Sequence, residues 1–66
     1  MKLKIDEQAD ALYFRLDESK ITDSEEVSPG VVLDYNDKNE VVWVEILNLS
    51  HRTTRPNLKD FQFLTA

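Results

Sequence analysis

The sequence predicts a small, mainly β protein that consists of one antiparallel sheet, a meander of hairpins with four or five strands. Several segments alternate apolar and polar side chains at every second residue, which is typical of half-buried strands. The only glycine of the chain follows a proline, as Pro29-Gly30, and such a pair is typical of a tight turn. The length of 66 residues allows one domain, which we divide into a sheet core over residues 1–54 and a C-terminal segment over residues 55–66.

The first hairpin is predicted from two alternating segments, residues 2–6 and residues 11–17. The apolar members are Leu3 and Ile5 in the first segment and Leu12, Phe14 and Leu16 in the second, and in each segment they point to one face. Tyr13 and Arg15 point to the other face. Pairing the two segments makes a hairpin in which Leu3 faces either Phe14 or Leu16.

A polar connection and a tight turn are expected next. Residues 18–24 are polar apart from Ile21, whose side chain we expect to enter the core. Residues 25–28 form a short extended segment with Val27 facing inward. Proline favours extended geometry in the residue before it, and glycine accepts the positive φ that a type II turn requires. We therefore expect the strand to bend or reverse at the Pro-Gly pair.

A second hairpin is predicted from residues 31–36 and 40–47, with a two-residue loop at Lys38-Asn39. Asn39 suits a position with positive φ. This loop pairs Val31 with Ile46, Leu33 with Val44 and Tyr35 with Val42 on an apolar face, and Val32 with Glu45, Asp34 with Trp43 and Asn36 with Val41 on the other face. A shift of one residue would mix the two faces, so the pattern favours this register.

The end of the chain is predicted to leave the sheet. Asn48 or Ser50 is suited to cap a short helical turn near residues 48–53, and Pro56 ends anything helical. The apolar side chains Phe61 and Phe63 follow. Residues 55–66 are therefore a further strand, a helical turn or a segment that a partner orders, packing on the sheet or on that partner.

The charge of the chain favours proteins over nucleic acids as partners. The net charge is −5, and the first 50 residues carry five basic and twelve acidic side chains, whereas residues 51–66 carry three basic and one acidic. An acidic body repels a phosphate backbone but attracts a basic protein, although solubility alone also explains it. No apolar run spans a bilayer, and the N-terminus lacks an apolar leader. We expect a cytoplasmic protein.

Few side chains are suited to catalysis or to metal binding. The single histidine, His51, follows Ser50, but adjacent residues on a turn point apart, so no nucleophile–base pair is implied. Asp34 and Glu45 share a sheet face as diagonal neighbours, and we expect them to be solvated. There is no cysteine and no glycine-rich phosphate loop. We expect no catalytic, cofactor-binding or metal-binding residue and no enzymatic activity.

Trp43 is the best candidate for an interface residue, because the predicted register places it on the face away from Leu33 and Val44. We expect a tryptophan on a nominally polar face to be buried by another part of the chain or by a partner, and tryptophan is enriched in interface hot spots. The cover would be the C-terminal segment, a second copy or another protein. The candidate interface residues are Trp43, Tyr13, Leu47, Phe61 and Phe63.

Three segments of the chain resemble one family of small bacterial proteins. They are A-D-A-L-Y-F-R-L at residues 9–16, E-V-S-P-G-V-V-L-D-Y at residues 26–35, and V-E-I-L at residues 44–47 followed by Ser50 and Arg52. These segments are similar to parts of the domain of unknown function 2283 family. Trp43 departs from the small residue frequent there. The resemblance covers residues 1–52 and implies a β-rich fold, no assigned activity, and members that pair with small toxin-like proteins.

Size, charge and this resemblance together indicate a protein–protein interaction module. A chain of this length buries too little surface to be more than marginally stable alone. The partner would be a second copy in a homodimer, or, in an antitoxin-like role, a basic protein encoded by a neighbouring gene. The alternative is a small-ligand or divalent-metal-binding domain that uses Asp34, Glu45 and Tyr13.

Overall fold

The computed structural model describes residues 1–53, 60 and 62–66. Its strands are β1 Lys2–Asp6, β2 Ala11–Arg15, β3 Asp23–Ser28, β4 Val31–Tyr35 and β5 Val41–Ile46, followed by a 3-10 turn at Leu49–His51. The five strands form one antiparallel sheet. The mainly β fold and the short helical turn are confirmed. Among the described residues, no helix has the length and apolar character needed to cross a membrane.

The strand order is β1-β2-β5-β4-β3, so the chain departs from a simple meander at one connection. Residues 16–22 carry the chain from β2 to the far edge of the sheet, and β4 and β5 then fill the gap. The Leu16 N–H donates to the Val42 carbonyl at 2.8 Å, and the Thr22 N–H donates to the Tyr35 carbonyl at 2.8 Å. These bonds fix both ends of the crossing connection.

The β1–β2 and β4–β5 registers agree with the pattern of apolar residues, apart from one bulge. Leu3 faces Phe14, and the four predicted pairs from Val31–Ile46 to Asp34–Trp43 are present. The predictions for Tyr35 and Asn36 are wrong. Tyr35 pairs with Val41 rather than with Val42, and the Asn36 N–H donates to the Glu40 carbonyl at 3.0 Å.

A buried asparagine explains the shift. The Asn36 side chain, 6% exposed, accepts from the N–H groups of Lys38 and Glu40 at 3.0 Å each. These bonds favour a loop of three residues, 37–39, instead of the predicted two. Asn39 has φ 59°, the positive value expected for it.

The edge strand β3 differs from the prediction in where it begins and in the position of Val27. It begins at Asp23, inside the segment predicted as a connection, and all six of its residues are exposed. Val27 is not inward, because a bulge between Glu26 and Ser28 leaves it unpaired and 47% exposed. Ile21 is half-buried. The acidic side chains of β3 discourage a further strand from pairing with this edge.

The sheet has one apolar face and one mixed face, because directly paired residues lie on the same side. In β1, β2, β4 and β5 the apolar face consists of Leu3, Ile5, Leu12, Phe14, Val31, Leu33, Val44 and Ile46; the mixed face consists of Lys2, Lys4, Tyr13, Arg15, Val32, Asp34, Trp43 and Glu45. At the β3 edge, Glu25 pairs with Leu33 of the apolar face, and Ser24 and Glu26 pair with Asp34 and Val32 of the mixed face. None of the eight apolar-face residues is buried. The buried hydrophobic residues in the described part of the chain are Ala11 and Val42.

Candidate functional site

Asp10 joins the β1–β2 turn to the 3-10 turn. Its carboxylate accepts from the Ser50 N–H at 2.9 Å and from the Ser50 hydroxyl at 2.7 Å, and its carbonyl accepts from the Leu49 N–H at 2.9 Å. The hydrogen bonds from Ser50 lower the pKa of Asp10. The Ser50 hydroxyl thus donates to Asp10 rather than to His51. Asn48 occupies the N-cap position of the 3-10 turn without a side-chain bond to it.

Arg52 clamps the Pro-Gly turn between β3 and β4. Its Nε donates to the Leu47 carbonyl at 2.8 Å, and its Nη2 donates to the Pro29 carbonyl. Gly30 has φ 74°, and a Cβ built on it would overlap Arg52 Nη2 and lie 3.3 Å from the Leu47 carbonyl oxygen. Glycine is therefore required here both by the backbone conformation and by the close approach of Arg52.

The residues that look most like a motif therefore meet at one end of the sheet as a structural joint. Asp10, the Pro29-Gly30 pair and the Ser50–Arg52 segment are far apart in sequence, yet their side chains and backbones bond directly. These residues therefore hold the turns at this end of the sheet in place.

Trp43 is covered by its own sheet neighbours. Arg15, its cross-strand partner, lies over the indole with Cζ 4.9 Å from the ring centroid. The Tyr13 ring stands edge-on to the indole, with centroids 6.0 Å apart and an interplanar angle of 70°. Phe63, a predicted cover, is 88% exposed, and Phe61 lies outside the described residues. The Trp43 Nε1–H is buried and has no acceptor in the described structure.

The connection after β2 builds a cleft over these rings. Arg15 Nε donates to the Asp17 carbonyl and Nη2 to the Ser19 carbonyl, both at 2.8 Å, which holds the guanidinium above the sheet. Glu18 lies 2.9 Å from Lys2 Nζ and 3.5 Å from Arg15 Nε. The hydrogen bond from Lys2 and its charge lower the pKa of Glu18. The resulting aromatic cleft has a volume of about 250 Å³ and is lined by Lys2, Lys4, Tyr13, Arg15, Glu18 and Trp43.

Asp34 is buried, so the expectation that it is solvated is wrong. It is 3% exposed, and its Oδ1 accepts from the Ser24 hydroxyl. Its Oδ2 is buried and receives no N–H or hydroxyl donor from the described residues. A hydrogen bond with the Asp34 side chain, together with burial and repulsion by the Asp34 charge, raises the pKa of Glu45 to about 7. A proton held on Glu45 would supply the donor that Asp34 Oδ2 otherwise lacks.

The shared proton makes stability depend on pH. Because the pKa of Glu45 rises from 4.5 in the unfolded chain to about 7 on folding, its contribution is full below pH 4.5 and is lost as pH rises through 7. We expect the free energy of unfolding to decrease from pH 5 to pH 8 by an amount on the order of 1 kcal/mol, after discounting for solvent screening, and the midpoint of thermal unfolding to decrease with it.

Glu45→Gln should remove this dependence, because the amide donates to Asp34 at every pH. The matched control is Glu25→Gln, on the exposed strand β3, which should keep the wild-type slope. Equal slopes for wild type and Glu45→Gln in calorimetry would show that no proton is shared.

The other residues predicted to form an interface or to bind a metal do not line the aromatic cleft. Leu47 is half-buried, and its N–H donates to the Gly30 carbonyl at 2.7 Å, so it belongs to the structural joint. Within residues 1–53, 60 and 62–66 no group of three or more histidine or acidic side chains is placed to hold a metal ion. Sequence patterning predicted the residues of the mixed face but missed the cleft, because Asp17 was expected to end the second strand and residues 18–24 only to connect strands.

Comparison with known proteins places the chain in a family. A family model described as a protein of unknown function, DUF2283, matches residues 2–50. The chain belongs to the DUF2283 family. The match spans all five strands and includes Asp10, Gly30 and Ser50, whereas Arg52 lies just beyond it. No curated protein and no solved structure matches the chain.

Proposed function

We propose that this DUF2283 protein is a protein–protein interaction module whose apolar face binds a second copy of the chain. The observation that carries the proposal is the exposure of that face: Leu3 is 49% exposed, and the other seven residues are half-buried. A sheet with one hydrophobic face is stable when a second layer covers that face. Two such sheets packed face to face would form a sandwich with a core about 10 Å thick.

The size of the molecular surface supports an interface. The accessible surface of the chain is 5324 Å², about 1,000 Å² more than the roughly 4,300 Å² that the size relation for compact monomers gives for 7.7 kDa. The exposed residues 62–66 and the open sheet face both contribute to this excess. A standard interface buries about 800 Å² on each partner, which is of the same order as this excess.

The distribution of charge favours a second copy over a basic partner. The eight residues that β1, β2, β4 and β5 contribute to the apolar face are uncharged, with Glu25 at its β3 edge beside Leu33. An isologous contact requires a patch that is complementary to itself. The acidic side chains Asp23, Glu25 and Glu26 lie on β3 at one edge of the sheet, where they would attract a basic protein but do not match an apolar surface. A basic partner encoded by a neighbouring gene, in an antitoxin-like role, is therefore the second candidate.

The metal-binding alternative has weaker support. Asp34 and Glu45 offer two carboxyl groups, but they share a proton near neutral pH, which lowers the negative charge available to a divalent cation. A hard cation takes six or more oxygen ligands, and Ser24 is the one further side chain bonded to this pair in the described residues.

Light scattering coupled to size exclusion over a range of concentrations tests the proposal. We expect a mass of twice 7.7 kDa, with dissociation on dilution because the interface is of modest size. A monomer that becomes a one-to-one complex when a basic neighbour-encoded protein is added would support interaction but contradict the homodimer. A monomer that binds neither partner would contradict the interaction module itself.

A further inference from the structure

We propose that the aromatic cleft on the mixed face binds a small aromatic carboxylate, with the ligand ring against Tyr13 and Trp43 and the carboxylate among Lys2, Lys4 and Arg15. The cleft lies on the side of the sheet opposite the apolar face. The inference therefore stands apart from the proposed homodimer.

The local charge of the cleft is opposite to that of the protein. The chain carries a net charge of −5, yet the charged side chains that line the cleft are three cations and one acid. The acid, Glu18, is paired with Lys2 and Arg15. Lys4 forms no ion pair with a carboxylate among the described residues, and its Nζ lies 6.0 Å from the centroid of the Tyr13 ring. The Lys4 ammonium group is therefore available to pair with an anion bound beside the Tyr13 ring.

The shape of the cleft calls for a single flat ring. Because the Tyr13 and Trp43 rings meet at 70°, they form an apolar corner, against which an aromatic ring packs edge-on to one and offset to the other. The volume of about 250 Å³ is below the range of roughly 300–1,000 Å³ typical of sites for drug-sized ligands. A carboxylate, which accepts from two donors at once, suits the guanidinium and ammonium groups around this corner.

The Arg15 side chain is already in position for such a ligand. Its bonds to the Asp17 and Ser19 carbonyls fix it, the Glu18 carboxylate lies 3.5 Å from its Nε, and its side chain is only 20% exposed. A group that is fixed before binding loses little entropy when the ligand arrives. The cleft thus combines an ordered cation, a free cation and an aromatic corner.

Nuclear magnetic resonance with three matched probes tests the inference. Trp43 is the only tryptophan, so its indole N–H gives a single cross-peak that reports on the cleft. Benzoate carries both the ring and the charge, benzamide carries the ring alone, and acetate carries the charge alone. We expect benzoate to shift the Trp43 indole and the Lys4 and Tyr13 amides with a Kd of about 1 mM or lower, and the other two probes to bind at least about ten-fold more weakly.

Two lysine variants separate a specific site from general attraction. Lys4→Gln should weaken benzoate binding about two- to five-fold, the range expected for one exposed charge, whereas Lys38→Gln, in the loop at residues 37–39, should leave it unchanged. Both lysines are exposed, so the fold should be retained. Equal binding of benzoate and benzamide, an indole peak that does not move with benzoate, or equal effects of the two variants would each overturn the proposal.

Discussion

Gly30→Ala is expected to lower the free energy of unfolding by about 2–4 kcal/mol, combining backbone strain with the loss of hydrogen bonds. Gly30 has φ 74°, and an added Cβ would overlap Arg52 Nη2. Arg52 would then have to leave the Pro29 and Leu47 carbonyls that it bonds. Urea unfolding at a fixed protein concentration measures the change, because dimerisation would otherwise enter the result.

Two further variants apportion this effect. Asn39→Ala places alanine at φ 59° in the exposed loop and should cost about 1 kcal/mol from strain. Arg52→Ala removes the clamp, so Gly30→Ala in that background should cost less than in the wild type by more than about 0.5 kcal/mol. Additive effects of Gly30→Ala and Arg52→Ala would show that the clamp does not require glycine.

Val44→Lys is expected to convert the protein into a monomer. Val44 lies between Phe14 and Leu33 on the apolar face, where a second copy would bury a lysine without a partner, at a cost of several kcal/mol. In the isolated sheet the position is half-buried, so the chain should still fold. Light scattering should give half the wild-type mass across the concentration range.

Val32→Lys is the matched control for this variant, with the same substitution on the mixed face. Val32 pairs with Glu26 on one side and with Glu45 on the other, so a lysine there meets opposite charges. It should retain the wild-type mass. If both lysines dissociate the protein, or neither does, the interface is not on the apolar face.

The sequence predicts local pairing well because alternation and turn chemistry act over a few residues. Leu33–Val44 and Asp34–Trp43 followed from the need to keep apolar residues on one face. The bulge at Val42 did not follow, since it depends on the Asn36 side chain accepting two backbone N–H groups. The hydrogen bonds of one polar side chain thus favour a three-residue loop over the more common two-residue turn.

Contacts between distant segments were less accessible from the sequence. The β2–β5 pairing closes a long loop around β3 and β4, and no periodicity indicates which strands are neighbours. The burial of Asp34 depends on Ser24 in β3 and on Glu45 in β5, and β3 was expected to begin after Ser24. Arg15 covers Trp43 because carbonyls of the crossing connection hold it in place.

The central claim, that the apolar face binds a second copy, is tested most directly by isotope-filtered nuclear Overhauser spectroscopy on a mixture of labelled and unlabelled chains. We expect contacts between copies from the methyl groups of Leu12, Leu33 and Val44, and none from the rings of Tyr13 and Trp43. Contacts between copies that involve only the mixed face would contradict the account. The account would also be contradicted if the apolar-face methyl groups showed no contacts between copies and contacted only Phe61 and Phe63 of their own chain.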